Sequence, residues 1–294
     1  MSDERVWTCK DALDWTVAYL ERKDDEHPRR SAEWLLGAAT GLSRVEIYTC
    51  HDRPLSREER ASLHTLIERR AAGEPLQYVT GEMPFRHLVI HIQPGVFIPR
   101  PETEVLVDVA LEALRGVTEP KVGEVCTGSG CVAVSIAYER SDARVWTSDV
   151  SEIAVRSARQ NALYVHVADR VQVFHGDLFA PYTHTLPGPL DLVVANPPYV
   201  PSGAMTGLPR EILDFEPHLA LDGGPDGLDI ARRIAEGAHG LLREGGMLAL
   251  EVDESRAELF AEEIAPHFTG IKVHKDLAGR DRIVTGTKRE ARQS

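Results

Sequence analysis

Val122-Gly123-Glu124-Val125-Cys126-Thr127-Gly128-Ser129-Gly130-Cys131-Val132-Ala133-Val134-Ser135-Ile136-Ala137-Tyr138 is the stretch that decides the fold. Residues 122–125 read as a short buried strand. Residues 131–138 read as a helix that turns Val132, Ala133, Ile136 and Ala137 inward. Between them, glycines at alternate positions allow a tight turn and let a ligand approach closer than any Cβ would permit. Strand, glycine turn and helix in this order open an alternating α/β pattern, whose ligands lie beyond the C-terminal ends of the strands.

Working outward, the pattern repeats. Strands are expected at residues 145–148, 171–174, 190–195 and 246–252, and helices at 101–114, 152–163 and 228–242, with a terminal antiparallel pair at 271–273 and 282–286. This is an open α/β sheet. Upstream the character changes. Residues 1–75 read as all-helical: Leu13, Val17 and Leu20 share one face, and Ala32, Leu35, Leu36 and Ala39 share another before Gly41. Ser43 with Glu46 and Ser56 with Glu59 have capping-box spacing, and Leu63, Leu66 and Ile67 continue the last helix toward Gly73. Residues 76–98, with alternation at Leu88, Ile90 and Ile92 and turns at Pro84 and Pro94-Gly95, are expected to form a β-hairpin linker. Residues 99–294 are the expected catalytic domain.

The chain has 294 residues, 43% hydrophobic and 27% charged, enough for one large domain and a smaller one. Its formal net charge of −13 argues against a direct nucleic-acid partner, because a phosphate backbone is gripped by a basic face. No apolar run of about 18 residues could span a bilayer, so no membrane partner is expected. No charged-then-apolar segment at the start resembles a signal peptide, so none is expected, and two acids within residues 1–5 argue against a mitochondrial presequence. Cys9, Cys50, Cys126 and Cys131 lack metal-type spacing and read as reduced thiols of a cytoplasmic protein. His87 and His91 are four apart, but on a strand that spacing does not make a metal pair, and no metal site is expected.

The strand ends carry the chemistry. Gly128-Ser129-Gly130 with Ala133 satisfies a dinucleotide-type glycine pattern, and Asp149 lies 19 residues past Gly130, placed to accept ribose hydroxyl hydrogens. An NAD-dependent oxidoreductase is a fair rival on this motif alone. The third strand ends in Gly176-Asp177-Leu178, an acceptor and an apolar wall suited to an adenine. The fourth ends in Asn196-Pro197-Pro198-Tyr199, a planar amide, carbonyls freed of neighbouring N–H groups and an aromatic ring. Such a turn can hold a flat NH2 group, whether of adenine, cytosine or a glutamine side chain. It lacks the polarising group and proton donor that hydride transfer needs. Methyl transfer from a sulfonium needs less acid–base help, so the combination selects S-adenosylmethionine as cofactor.

Ile98-Pro99-Arg100-Pro101-Glu102-Thr103-Glu104, the Thr127-Gly128-Ser129-Gly130 loop and Asn196-Pro197-Pro198-Tyr199 occur in that order. They are preceded by Gly73-Glu74-Pro75-Leu76-Gln77-Tyr78 and followed by Glu216-Pro217, Gly223-Gly224-Pro225-Asp226-Gly227-Leu228 and Gly279-Arg280-Asp281-Arg282. Together they resemble the peptide chain release factor N(5)-glutamine methyltransferase family. Asn-Pro-Pro-Tyr by itself is shared with adenine DNA methyltransferases; the proline-rich segment and the Gly223 run make the joint match specific.

The resemblance implies a Rossmann-like class I S-adenosylmethionine-dependent methyltransferase fold, with a mixed seven-stranded sheet and a small helical N-terminal domain. The implied activity is methylation of the glutamine in the Gly-Gly-Gln motif of class-I release factors. Cys126, Thr127, Gly128, Ser129, Gly130, Asp149, Asp177, Leu178 and Asn196 would bind the cofactor. Asn196, Pro197, Pro198 and Tyr199 would hold the glutamine, with Asn196, Pro197 and Tyr199 as the catalytic set. The helical domain would help dock the release factor, and the enzyme is expected to act as a monomer. A glutamine methyltransferase of a ribosomal protein and an adenine methyltransferase of DNA or RNA are the alternatives. Two departures stand out: Glu124 replaces a shorter aspartate at the first strand's end, so its contact with the cofactor is left open, and Val252-Asp253-Glu254 follows Glu251 where a glycine is usual.

Overall fold

The computed structural model describes residues 6–289, which fall into two compact units dividing after Glu82. The charge pattern read at residues 1–5 lies outside the described residues. In the first unit, α1 (Cys9–Glu21) opens with a Thr8–Asp11 capping box, and α2 (Pro28–Thr40) has proline in its first turn. The α2 helix ends at Gly41 in the left-handed region, φ 71°. The capping boxes expected at Ser43/Glu46 and Ser56/Glu59 start α3 (Arg44–Thr49) and α4 (Arg57–Ala71), each contributing about 1 kcal/mol. With α5 (Leu76–Thr80) these helices enclose a core of Leu13, Leu20, Leu35, Leu36, Ile47, Leu63 and Ile67.

The hairpin expected from residue 76 therefore begins with a helix instead. Leu76 and Val79, one helical turn apart, are both buried in the first unit's core, and the helix ends at Gly81 with φ 80°. Strand pairing starts only at β1 (Glu82–Phe85), which forms a two-stranded sheet with β2 (Leu88–His91).

The second unit continues with α6 (Glu102–Ala113), β3 (Lys121–Val125), α7 (Cys131–Glu139), β4 (Arg144–Asp149), α8 (Glu152–Tyr164), β5 (Val171–His175) and β6 (Leu190–Ala195). After these come α9 (Arg210–Phe215), α10 (Asp229–Leu241), β7 (Leu242–Glu251), α11 (Ala257–Ile264), β8 (Phe268–Lys275) and β9 (Asp281–Lys288). The seven strands β3 to β9 lie in the order β5-β4-β3-β6-β7-β9-β8. The first five are parallel, and β9 pairs antiparallel with both β7 and β8, which gives the expected mixed sheet. Val193, Leu248, Leu250 and Val284 contribute to a core shared with Ile234 and Ala238 of α10 and Phe260 and Ile264 of α11. Among the described residues no helix is long and apolar enough to cross a membrane.

The chain runs outward through β3, β4 and β5, then returns to β6 on the other side of β3. That reversal opens a crevice at the C-terminal ends of β3 and β6, where open α/β sheets take their ligands. Register lines up the site. Val125 pairs with Ser148 and with Ala195, Asp149 pairs with His175, and Ala195 pairs with Leu250. Cys126, Asp149, Asn196 and Glu251 therefore emerge side by side at one edge of the sheet.

Candidate active site

At that edge lies a cavity of about 280 Å3 within the second unit. Cys126, Thr127, Gly128, Ser129, Asp149, Asp177, Leu178 and the whole of Asn196-Pro197-Pro198-Tyr199 line it. Gly130 is set back: with φ 83°, it sits where a Cβ would lie 2.9 Å from the Cβ of Ala158, so its task is close packing between α7 and α8.

The first strand's loop is held from three sides. Gly128 N–H donates to Asp149 Oδ2 at 2.9 Å, Ser151 N–H donates to Asp149 Oδ1 at 2.9 Å, and Thr127 N–H donates to the Ser148 carbonyl at 3.1 Å. Asp149 thus braces the glycine loop, while Ser151 caps α8 by accepting from Ala154 N–H. Each Asp149 oxygen keeps a lone pair for a ligand, and burial raises this carboxyl's pKa above its ordinary value. Leu178 takes a positive φ of 45°, and its carbonyl accepts from Ser148 Oγ at 2.5 Å, which fixes its side chain as a cavity wall. Asp177 is paired with Arg233 at 2.5 Å.

Glu124 is 2% exposed and lines the cavity. Its Oε2 accepts from Thr127 Oγ1 at 2.6 Å and Thr147 Oγ1 at 2.5 Å. Burial dominates and pushes its pKa up to about 7. Burial also lifts the Cys131 thiol to about 12 and the Cys126 thiol further, so neither is a thiolate nucleophile. Among the described residues no group of three or more His, Cys, Asp and Glu side chains could hold a metal.

The Asn-Pro-Pro-Tyr turn is buttressed by the Gly223 run. Val200 N–H donates to the Leu221 carbonyl and Gly223 N–H donates to the Val200 carbonyl, both at 2.9 Å. A Cβ at Gly223 would sit 2.7 Å from the Pro198 carbonyl oxygen, and one at Gly227 would sit 2.3 Å from that of Tyr199. Glycine is needed there because backbone lies against backbone. No backbone N–H among the described residues donates to the Pro197 carbonyl.

Sequence reasoning missed several contributors. Gly95, Val96, Phe97 and Pro99 line one side of the cavity, and Leu219, Leu221 and Ile230 add apolar wall. Thr103 Oγ1 accepts from Asn196 Nδ2 at 3.0 Å and donates to Glu251 Oε2 at 2.8 Å, and Tyr199 OH donates to Glu251 Oε1 at 3.2 Å. The signal for Glu251 was an acid ending an otherwise apolar strand. Arg100 and Glu102, at the start of α6, are engaged in ion pairs with Glu216 and Arg280. Glu104 accepts from Arg86 N–H.

The residues present fit a nucleoside cofactor. The buried Ser129 Oγ in the loop has no hydrogen-bond partner, Asp149 has acceptor capacity to spare, and apolar groups wall the space between them. Sheet order, crevice and site together define a class I S-adenosylmethionine-dependent methyltransferase. Residues 87–214 match the methyltransferase small domain family. A 16S rRNA methyltransferase from T. thermophilus shares the fold with a TM-score of 0.51 at 22% identity, over 71% of this chain and 50% of that one.

Residues 11–81 match the PrmC N-terminal domain. A release factor glutamine methyltransferase from Moorella thermoacetica is 41% identical over 96% of this chain and 99% of its own length. One from Geobacter sulfurreducens is 40% identical over 96% and 97%. The chain belongs to the release factor glutamine methyltransferase family.

Proposed function

We infer that the protein methylates the side-chain amide nitrogen of a glutamine in class-I peptide chain release factors, at their Gly-Gly-Gln motif. The observation that carries this is the Asn196–Tyr199 turn, which lines the same cavity as the Cys126–Ser129 loop and Asp149. The helical unit through Glu82 serves the protein substrate, since the reacting groups all lie in the second unit. The enzyme acts as a monomer in the cytoplasm, a setting in keeping with four free cysteines.

When bound, S-adenosylmethionine supplies an electrophilic methyl group. The glycine loop, Asp149 and Leu178 would hold it. A carboxamide nitrogen is a weak nucleophile because its lone pair is delocalised into the carbonyl. Asn196 Oδ1 and the Pro197 carbonyl accept its two N–H hydrogens, which orients the nitrogen and raises its electron density. The same oxygens stabilise the positive charge that gathers on nitrogen during transfer. Fixed orientation supplies a further share, up to roughly 7–11 kcal/mol for well-aligned groups. The proton becomes acidic only as the new bond forms, so the site needs no dedicated base. Tyr199 confines the side chain.

Peptide mass spectrometry of a purified release factor after incubation with enzyme and cofactor is expected to show one added methyl on the Gly-Gly-Gln glutamine. Methyl on a ribosomal protein or nucleic acid alone would overturn the assignment. Asn196→Ala is expected to lower turnover roughly 100-fold while changing cofactor affinity far less. Equal losses in both would mean that Asn196 serves the cofactor and not the amide.

A further inference from the structure

The Asn196 side chain is useful only one way round. Its oxygen must face the substrate's NH2 group; the opposite orientation would set two NH2 groups against each other. What decides the orientation lies behind it. Glu251 is fully buried at the end of β7, with Thr103 of α6 on one oxygen and Tyr199 on the other. An ionised carboxylate only accepts hydrogen bonds, so the single hydroxyl proton of Thr103 is drawn to Glu251 Oε2. Thr103 Oγ1 can then only accept from Asn196, and the atom 3.0 Å away must be Nδ2. The amide oxygen is left for the cavity.

We propose that Glu251 is a positioning residue which, through Thr103, fixes the Asn196 amide with Oδ1 toward the substrate, while its second oxygen holds Tyr199. This rests on the glutamine-amide reading of the site. A neutral carboxyl at Glu251 can donate, which frees the Thr103 proton for Asn196 and reverses the chain of bonds. The groups facing Glu251 set that balance. Burial pushes its pKa up to about 7; Glu102 of α6 adds to the rise, and Thr103, Arg282 of β9 and Tyr199 oppose it. The Arg282 guanidinium also lies 5.5 Å from the centre of the Tyr199 ring, so the cation backs both the carboxylate and the aromatic wall.

Thr103→Val removes the hydroxyl at nearly constant shape, and Thr103→Ser restores it. In the full-length protein, the Asn196 side-chain amide protons, assigned by NMR against Asn196→Ala, are expected to exchange with solvent at least tenfold faster in Thr103→Val. In Thr103→Ser they should stay near the wild-type rate. Turnover on the release factor should fall at least tenfold in Thr103→Val and recover to within about threefold in Thr103→Ser. KM for the release factor and Kd for S-adenosylhomocysteine should stay within twofold. Wild-type exchange and turnover in Thr103→Val would overturn the proposal, as would a loss of cofactor affinity matching the loss of turnover. If wild-type enzyme transfers no methyl to a release factor, the functional reading fails, and the exchange rates still decide the orientation of Asn196.

Discussion

Glu251 and Glu124 end neighbouring tasks in one site, and both are pushed up to about 7 by burial. Only the first controls the polarity of Asn196. Below about pH 7 Glu251 takes up a proton and the relay reverses, so turnover is expected to fall about tenfold per pH unit on the acid side. Glu124→Gln should keep this limb. Glu251→Gln should show low turnover that hardly varies with pH, because an amide can serve either polarity. Measuring kcat from pH 5.5 to 9 in the three proteins checks this, and a limb unchanged in Glu251→Gln would refute it. Much of the residue-level site could be read in the sequence, since the glycine loop, Asp149, Asp177-Leu178 and the Asn-Pro-Pro-Tyr turn are contiguous motifs that all reach the cavity save Gly130. Thr103 and Glu251 could not be read together: 148 residues separate them, and only the packing of α6 against the sheet edge makes them partners.

At the scale of elements, the Gly223–Leu228 run acts as the mould for the Asn-Pro-Pro-Tyr turn. Gly227 has φ 84°, and an added Cβ would lie 2.3 Å from the Tyr199 carbonyl oxygen, which cannot yield without moving the turn. Gly227→Ala combines left-handed strain of about 1–2 kcal/mol with that clash. It is expected to lower both the melting temperature and turnover, the latter at least tenfold. Gly203→Ala, where nothing lies within 4 Å of the new methyl, should alter neither. Thermal melts and initial rates on the two variants check this; equal behaviour would remove the mould argument. The same scale shows where periodicity informs and where it does not. The strands of the parallel core were legible because burial on both faces leaves near-continuous apolar runs such as Leu192 to Ala195. The helix Leu76–Thr80 was not, because at five residues its Tyr78, Val79 and Thr80 carry strand propensity that tertiary packing overrides. The helix Ala257–Ile264 went unread although Ala257, Phe260 and Ile264 are spaced as one buried face.

For the whole molecule, ionisable groups set opposite limits on stability. Asp226 and Asp142 are held down to about 2, chiefly by hydrogen bonds from Arg232 and Arg140. A carboxyl with lowered pKa contributes stability above its unfolded value, and loses it as pH falls through the folded one. Glu124 and Glu251 work the other way. Raised from 4.5 to about 7, each contributes fully below about pH 4.5 and loses that contribution as pH rises through about 7. The contributions of these four groups therefore peak together at about pH 4 to 4.5, between the unfolded aspartate and glutamate values of 3.8 and 4.5 and well below the pH at which the relay at Glu251 is fully ionised. The site's chemistry and the fold's stability thus pull in different directions at one buried carboxylate, a trade common at catalytic centres. Glu124→Gln separates them, since it removes one buried charge while leaving the Glu251 relay intact. Its amide oxygen can still accept from Thr127 and Thr147, and ending the desolvation of a carboxylate contributes up to about 3 kcal/mol at pH 8. Calorimetry is expected to show Glu124→Gln melting several degrees above wild type at pH 8, with the gap closing by pH 4.5. A gap constant across that range would mean that Glu124 titrates alike in the folded and unfolded protein, and would refute its raised pKa.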